Sequence, residues 1–279
     1  MAEAVQAPEG VAAERPSVAR LYDFFLGGHH NFAADREMAR RLLQAEPNAR
    51  HIVAQNRAFL GRAVRFLLAS GVRQFLDLGS GIPTQENVHE IAQRGAPESR
   101  VVYVDNDPVA VAHSKQILSG NQRAIVIRED MRHPEAVLGH PEVSRLLDFR
   151  QPVGVLMVTV LHFVPDADDP ADVVRRLTAN LVSGSHLVIS HATHEAAPGA
   201  AAKVEELYSS TSAAARTRSH AEIARFFAGF DLVEPGLVYL PLWRPEAPGA
   251  ADHPERAWFY AGVGRKPASG TGPADVSGI

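Results

Sequence analysis

The sequence predicts an α/β fold, a mostly parallel doubly wound sheet with helices on both faces and a helical extension ahead of it. Three observations predict it. Short apolar runs alternate with helical segments between residues 73 and 190, the signature of parallel strands joined by crossover helices. The first run, Arg73 to Leu78, leads into a glycine turn, Gly79-Ser80-Gly81. Acids stand at or near the ends of three successive runs, as Asp77, Asp105 and Asp130.

The elements follow in order. Residues 1–16 are small, polar and proline-containing, which predicts disorder. Residues 17–70 read as a helical extension. Ser17 is placed to cap a first helix that ends at Gly27-Gly28. A second helix is predicted over 34–45, stopping before Pro47, and Asn48 is placed to cap a third that reaches Ala69, with Gly71 ending it. Ile52, Phe59, Val64 and Leu67 recur at near-helical spacing and should face the sheet. Residues 71–266 form the sheet domain: strands near 73–78, 100–105, 124–128, 153–160 and 185–190, with helices near 84–94 and 108–118. Asp168-Asp169-Pro170 opens a further helix toward Leu181, because acids and proline suit a first turn. Residues 267–279 are rich in Gly, Ser and Pro and read as a disordered tail.

The glycine turn and its acids describe a nucleoside-type cofactor at the carboxyl edge of the sheet. Glycines let backbone N–H groups approach a ligand closely. An acid at the tip of the next strand accepts hydrogen bonds from ribose hydroxyls. The dinucleotide pattern G-x-G-x-x-G fails, because Thr84 stands where the third glycine belongs. The acid-x-G-x-G pattern of an S-adenosylmethionine site fits Asp77, Gly79 and Gly81, with Pro83 in the last glycine's place. A carboxylate beside the turn repels a pyrophosphate and attracts the ammonium and sulfonium of S-adenosylmethionine.

From about Ser17 to Lys266 the chain resembles the actinobacterial S-adenosylmethionine-dependent methyltransferase family formerly catalogued as a domain of unknown function. The resemblance is carried by Arg20-Leu21-Tyr22-Asp23-Phe24-Phe25-Leu26-Gly27-Gly28, Asn31 to Arg36, Gln55 to Leu60, Asp77 to Asn87 and Tyr103 to Pro108. It accounts for Pro83, since Gly81-Ile82-Pro83-Thr84-Gln85-Glu86-Asn87 is far more specific than a general glycine loop. It implies a Rossmann-like class I methyltransferase with a seven-stranded sheet. Strands near 231–240 and 257–264 would form its antiparallel edge, joined by a loop from Pro241 to Pro254. The implied cofactor is S-adenosyl-L-methionine, with S-adenosyl-L-homocysteine as product. Gly79, Ser80 and Gly81 would hold the methionine moiety and Asp77 its ammonium; Asp105 would hold the ribose and Asn106 would border the adenine. Asp130 and the Met131 backbone would read the adenine edge. Thr159, at the exit of the fourth strand, is counted with these cofactor residues.

The implied activity is O- or N-methylation of a small molecule, such as a secondary metabolite. A non-catalytic S-adenosylmethionine-binding protein is the alternative; a nicotinamide oxidoreductase is disfavoured by Asp77 and Thr84. Methyl transfer needs the nucleophile held close and in line, and a base only when the acceptor must lose a proton. His162, after the fourth strand, is the first candidate for base or acceptor contact, against a structural histidine packed at the site. His191 and His194 follow the fifth strand; their spacing would suit a metal on a helix, but no third ligand stands out and loop histidines are expected, so no metal is predicted. His29-His30 reads as a surface turn. The extension should act as a lid that excludes water, with Tyr22 touching cofactor or acceptor and Asn31 as a substrate residue. Arg57 is placed to pair with the methionine carboxylate, or is a solvated helix arginine. Tyr208, Arg216 and Arg218 form a candidate site for an anionic or aromatic acceptor.

Composition bounds the rest. The 279 residues, 46% of them hydrophobic, can bury a sizeable core. A formal charge of −4 gives no general basic field for nucleic acid. The absence of cysteine excludes disulfides, thiolate metal sites and cysteine nucleophiles. No signal peptide or membrane span is read, so a soluble cytoplasmic protein is expected. Oligomeric state stays open between a monomer and a homodimer.

Overall fold

The computed structural model describes residues 13–83, 86–246 and 252–268. The predicted disorder at residues 1–12 and 269–279, the Thr84 position and part of the 241–254 loop lie outside these residues.

Three helices come first: α1 (Val18–Phe25), α2 (Ala33–Ala45) and α3 (Ala49–Ala69). The alternating region then runs β1 (Gln74–Leu78), α4 (Val88–Gly95), β2 (Arg100–Asp105), α5 (Pro108–Ile117) and β3 (Ala124–Arg128). Two short helices the sequence reading missed, α6 (Pro134–Leu138) and α7 (Pro141–Leu146), precede β4 (Gly154–Val158). Next come α8 (Pro170–Thr178), β5 (His186–Ala192), and two more unpredicted helices, α9 (Pro198–Tyr208) and α10 (His220–Ala224). The chain ends in β6 (Asp231–Leu232), β7 (Val238–Tyr239) and β8 (Phe259–Arg265).

The sheet order is β3-β2-β1-β4-β5-β8-β6, with β7 also on β8. Strands β1 to β5 pair in parallel, and β8 runs antiparallel to β5. Eight strands stand where seven were predicted, because the 231–240 run is two short pieces, both on β8. Pro235 lies between them and has no N–H to give a ladder.

Side chains alternate across the strands. Phe75, Val101 and Tyr103 join one core layer with Ile52, Phe59, Val64 and Leu67 of α3, as the helical spacing predicts. Leu76, Leu78, Val102 and Val104 face the opposite layer with Met157 and Leu177. Helix α3 is thus part of the sheet packing, whereas α1 and α2 pack elsewhere. Leu21, Phe25, Met38 and Leu42 meet Leu207, Val204 and Tyr208 of α9. Together α1, α2 and α9 form a cover over the carboxyl edge.

Ser17 and Asn48 precede their helices as predicted, but neither side chain makes the capping bond. Ser17 Oγ instead donates to Asp107, which itself caps α5 by accepting from Val109 N and Ala110 N.

No helix among the described residues is long and apolar enough to cross a membrane.

Candidate functional site

A cavity of about 550 Å³ lies between the carboxyl edge of the sheet and the cover. Asp77, Gly79, Ser80, Gly81, Asp105, Asn106, Asp130, Met131 and Thr159 all line it, as do Tyr22, Arg57, His162 and Tyr208. Asn31 and His191 are not on its wall.

The turn after β1 brings the backbone close. Gly79 has φ +71°, and a Cβ there would lie 2.2 Å from Val160 Cγ2, so only glycine fits. The turn does not, however, offer its N–H groups to a ligand. Gly79 N and Ser80 N donate to Val104 O, and Gly81 N donates to Asp105 Oδ2 at 2.7 Å. Parallel pairing of β1 with β2 places these acceptors directly beside the turn. The Gly79–Gly81 stretch is therefore a smooth wall rather than a donor nest. Ser80 Oγ is buried and has no hydrogen-bond partner among the described residues.

The two strand-end acids carry the local field. Asp105 accepts from Gly81 N through Oδ2 and from Asp107 N through Oδ1 at 2.9 Å, and the Asn106 N–H also favours its ionised form. Burial pushes its pKa up to about 6, against the pull of these backbone bonds. Burial pushes Asp77 further, to about 7; the Arg57 charge draws it down and Asp105 draws it up. Two buried carboxylates face one cavity, and a cationic ligand group there favours their ionised form. An S-adenosylmethionine ammonium and ribose fit this pair.

Asp130 is held differently. Burial raises its pKa, but hydrogen bonds and charge from Arg132 outweigh this and leave it below the ordinary range. Arg132 Nε and Nη2 reach both carboxylate oxygens at 2.6–3.0 Å. Any adenine contact at Asp130 is shared with Arg132, which the sequence reading overlooked although it lies two residues away.

Above these groups a hydrogen-bond chain crosses the fold. Asn56 Nδ2 donates to Tyr22 OH at 2.9 Å, and Ser190 Oγ donates to Asn56 Oδ1 at 2.6 Å. Thr159 N then donates to Ser190 Oγ at 3.0 Å. Because Tyr22 OH accepts from Asn56, its own proton is directed elsewhere.

Three predicted residues turn inward. Asn31 Nδ2 donates to Asp23 Oδ2 at 3.0 Å and to Gly28 O at 2.9 Å; it shapes the turn after α1 and is buried there. His191 is fully buried: Nδ1 meets Ala192 O at 2.7 Å and Nε2 meets Arg218 Nη1 at 2.9 Å. Burial depresses its pKa to about 3, so it is neutral. Arg218 is spent on Leu161 O, Val164 O and Asp166, tying down the segment after β4. With Arg216 also facing Asp166, neither arginine forms the anion site considered from sequence. The paired charges explain this: a buried guanidinium keeps its partners.

His162 does line the cavity. Burial, then the charges of His191 and Arg218, depress its pKa well below the ordinary value. It is a neutral ring with Nδ1 buried and without a hydrogen-bond partner among the described residues. So low a basicity suits a hydrogen-bonding role better than general-base work. Among the described residues no group of three or more His, Asp or Glu is placed to hold a metal. His29 and His30 lie in the turn after α1; the His30 side chain is 39% exposed and its ring tilts 56° against that of His113, with centroids 4.0 Å apart.

Residues 4–267 match the family model described as S-adenosyl methyltransferase. Two solved structures resemble the whole chain. A duf574 family protein from Streptomyces avermitilis is 41% identical, with TM-score 0.88, covering 91% of this chain and 99% of its own. A candidate methyltransferase from Thermobifida fusca is 38% identical, with TM-score 0.88, covering 95% and 100%. No curated protein matches the chain.

Proposed function

Because the chain belongs to the S-adenosyl methyltransferase family, and so takes S-adenosyl-L-methionine as cofactor, we propose that it methylates an oxygen or nitrogen of a small molecule held beneath the helical cover. One observation carries this: besides the acids of the sheet edge, the cavity is lined by Phe25, Leu42, Val53, Val204 and Tyr208, which pack in one apolar cluster. A protein that only bound the cofactor would need no such lining. Single-ligand pockets span roughly 300–1,000 Å³, so a cavity of about 550 Å³ shared by cofactor and acceptor favours a small acceptor.

When bound, the cofactor supplies an electrophilic methyl carbon, and the C–S electron pair returns to sulfur as the acceptor lone pair forms the new bond. The chain's own contribution is placement and exclusion of water. Asp77 would face the ammonium group and Asp105 the ribose. Gly79 would let the ligand approach the backbone. Tyr22 and His162, which line the same cavity, would contact cofactor or acceptor.

Calorimetric titration with S-adenosylmethionine, S-adenosylhomocysteine and NAD tests the cofactor assignment. Binding of both adenosyl ligands, abolished in Asp105→Ala and absent for NAD, is expected. Selective NAD binding by folded protein would overturn it. An acceptor screen reading S-adenosylhomocysteine release then separates an enzyme from a non-catalytic binder.

A further inference from the structure

Resting on that methyltransferase reading, we propose that the acceptor is an amine on an aromatic or similarly apolar skeleton, cationic in solution, with its nitrogen at Glu205 against a wall of aromatic rings.

The wall is continuous. Tyr208 and Phe163 have ring centroids 5.4 Å apart, Phe163 and His162 4.3 Å, His162 and Phe259 5.5 Å, and Phe259 and Trp258 5.9 Å. All five side chains border the cavity. Ring faces attract cations, most strongly where water is excluded.

Glu205 stands beside this wall. It lies three residues before Tyr208 on α9, which puts the two on one helical face. Its Oε1 accepts from Thr217 Oγ1 at 2.6 Å and from Thr217 N, which fixes the carboxylate. The preceding residue, Arg216, donates its N–H to the backbone carbonyl of His162 at 2.7 Å, so one short segment joins Glu205 to the backbone that carries the histidine of the wall. Glu205 Oε2 carries no hydrogen bond among the described residues, and Glu205 lines the cavity. The second open polar group is His162, 4% exposed, with Nδ1 lacking a partner among the described residues.

Charge balance excludes the opposite class. Glu46 and Glu205 line the same cavity as Asp77 and Asp105, and Glu46 accepts from Trp258 Nε1 at 3.1 Å. Arg57 and Arg132 are the arginines on its wall; the first acts on Asp77 and the second bonds Asp130 and Asp168. A carboxylate acceptor would meet repulsion here, and an alcohol would gain nothing from the field. An ammonium has no lone pair, so its proton leaves to Glu205 and from there to solvent. The freed pair on nitrogen then forms the N–C bond as the C–S pair returns to sulfur, and charge is conserved.

The test uses three ligands that share one skeleton: tryptamine, tryptophol and indole-3-acetate. Each is titrated into the full chain saturated with S-adenosylhomocysteine, whose own binding is measured first. Tryptamine should bind roughly tenfold tighter than tryptophol, the effect of one charge-assisted hydrogen bond, with indole-3-acetate weakest. Glu205→Gln keeps an oxygen for Thr217 and should erase that preference while leaving tryptophol and S-adenosylhomocysteine binding unchanged. Equal or reversed preference, a preference that survives Glu205→Gln, or no binding of any of the three to protein that binds S-adenosylhomocysteine overturns the amine assignment. Failure to bind S-adenosylhomocysteine overturns the methyltransferase reading beneath it instead.

Discussion

The carboxyl edge of the sheet and the cover above it line the same cavity but are fixed by different means. At the edge, Asp105 is held by the N–H groups of Gly81 and Asp107, all within one parallel pair of strands and their turns. In the cover, position depends on side chains that reach across the chain: Arg20 to Asp35, Tyr22 to Asn56 to Ser190, Thr217 to Glu205. Backbone geometry leaves little freedom at the edge. The cover has a modular fastening, in which one side chain can be changed without moving the strands. On the proposed assignment, cofactor recognition would sit on the rigid part and acceptor recognition on the adjustable one.

The largest expected effect is in the cover. Arg20 and Asp35 are 3% and 0% exposed and meet at 2.7 Å. Arg20→Ala leaves a buried carboxylate short of its cation and should destabilise the protein by about 3–5 kcal/mol, read by urea unfolding. A loss below about 1 kcal/mol, the scale of a surface pair, would mean the cover is not fixed by this bridge.

At the edge, Gly79→Ala should cost about 2–4 kcal/mol through backbone strain and collision with Val160. S-adenosylmethionine binding should weaken about a hundredfold, since about 1.4 kcal/mol is a decade. Gly27 in the cover gives the control. Its φ is +81°, yet a Cβ there meets nothing within 4 Å. Gly27→Ala should cost only about 1 kcal/mol, the strain without the collision, with cofactor binding retained.

The acids of the edge also predict a pH dependence. Burial raises the folded pKa of Asp77 to about 7 and of Asp105 to about 6. A carboxyl raised in this way favours the fold while protonated, and that contribution is lost as pH rises from the ordinary carboxyl range through the raised values. The ligand-free protein should therefore lose stability from about pH 4 to about pH 7. The cationic cofactor prefers the ionised form, so its affinity should rise over the upper part of that window, by about tenfold between about pH 5.5 and 7.5. Asp77→Asn should flatten the calorimetric profile; a flat profile in the unmodified protein would count against the role given to Asp77.

Smallest is Tyr22→Phe, which removes one hydrogen bond between cover and α3. It should cost about 1 kcal/mol, or about a fivefold weakening of ligand binding. Unfolding midpoint and binding together show whether the loss falls on the cover or on the ligand.

The same division explains what could be read from sequence. The strands, the glycine turn and Asp77 and Asp105 were legible because their signals are local: alternation of period two, a turn, an acid at a strand end. The α3 core positions were legible through helical spacing. His191 and Arg218 were not, because they meet each other across 27 positions and Arg218 reaches Leu161 O across 57; Asn31 was not, because it serves the turn around it, bonding Asp23 and Gly28 O. The N–H groups of Gly79 to Gly81 looked available because their acceptors stand on the neighbouring strand. Glu205 had no mark of its own, since its geometry comes from Thr217 on the far side of a loop. Some omissions did carry a local signal. Pro198 begins the alanine-rich α9, and Ser219 with Glu222 forms a capping box that opens α10.

The segment just ahead of α1 is a seam. Arg15 Nη2 donates to Thr211 O at 2.7 Å, Ser212 N donates to Pro16 O at 2.9 Å, and Ser17 Oγ donates to Asp107. Three consecutive residues thereby stitch the roof to the loop after α9 and to the cap of α5. Trimming that reaches Arg15 should loosen the roof more than the sheet, whose ladder none of these three bonds joins.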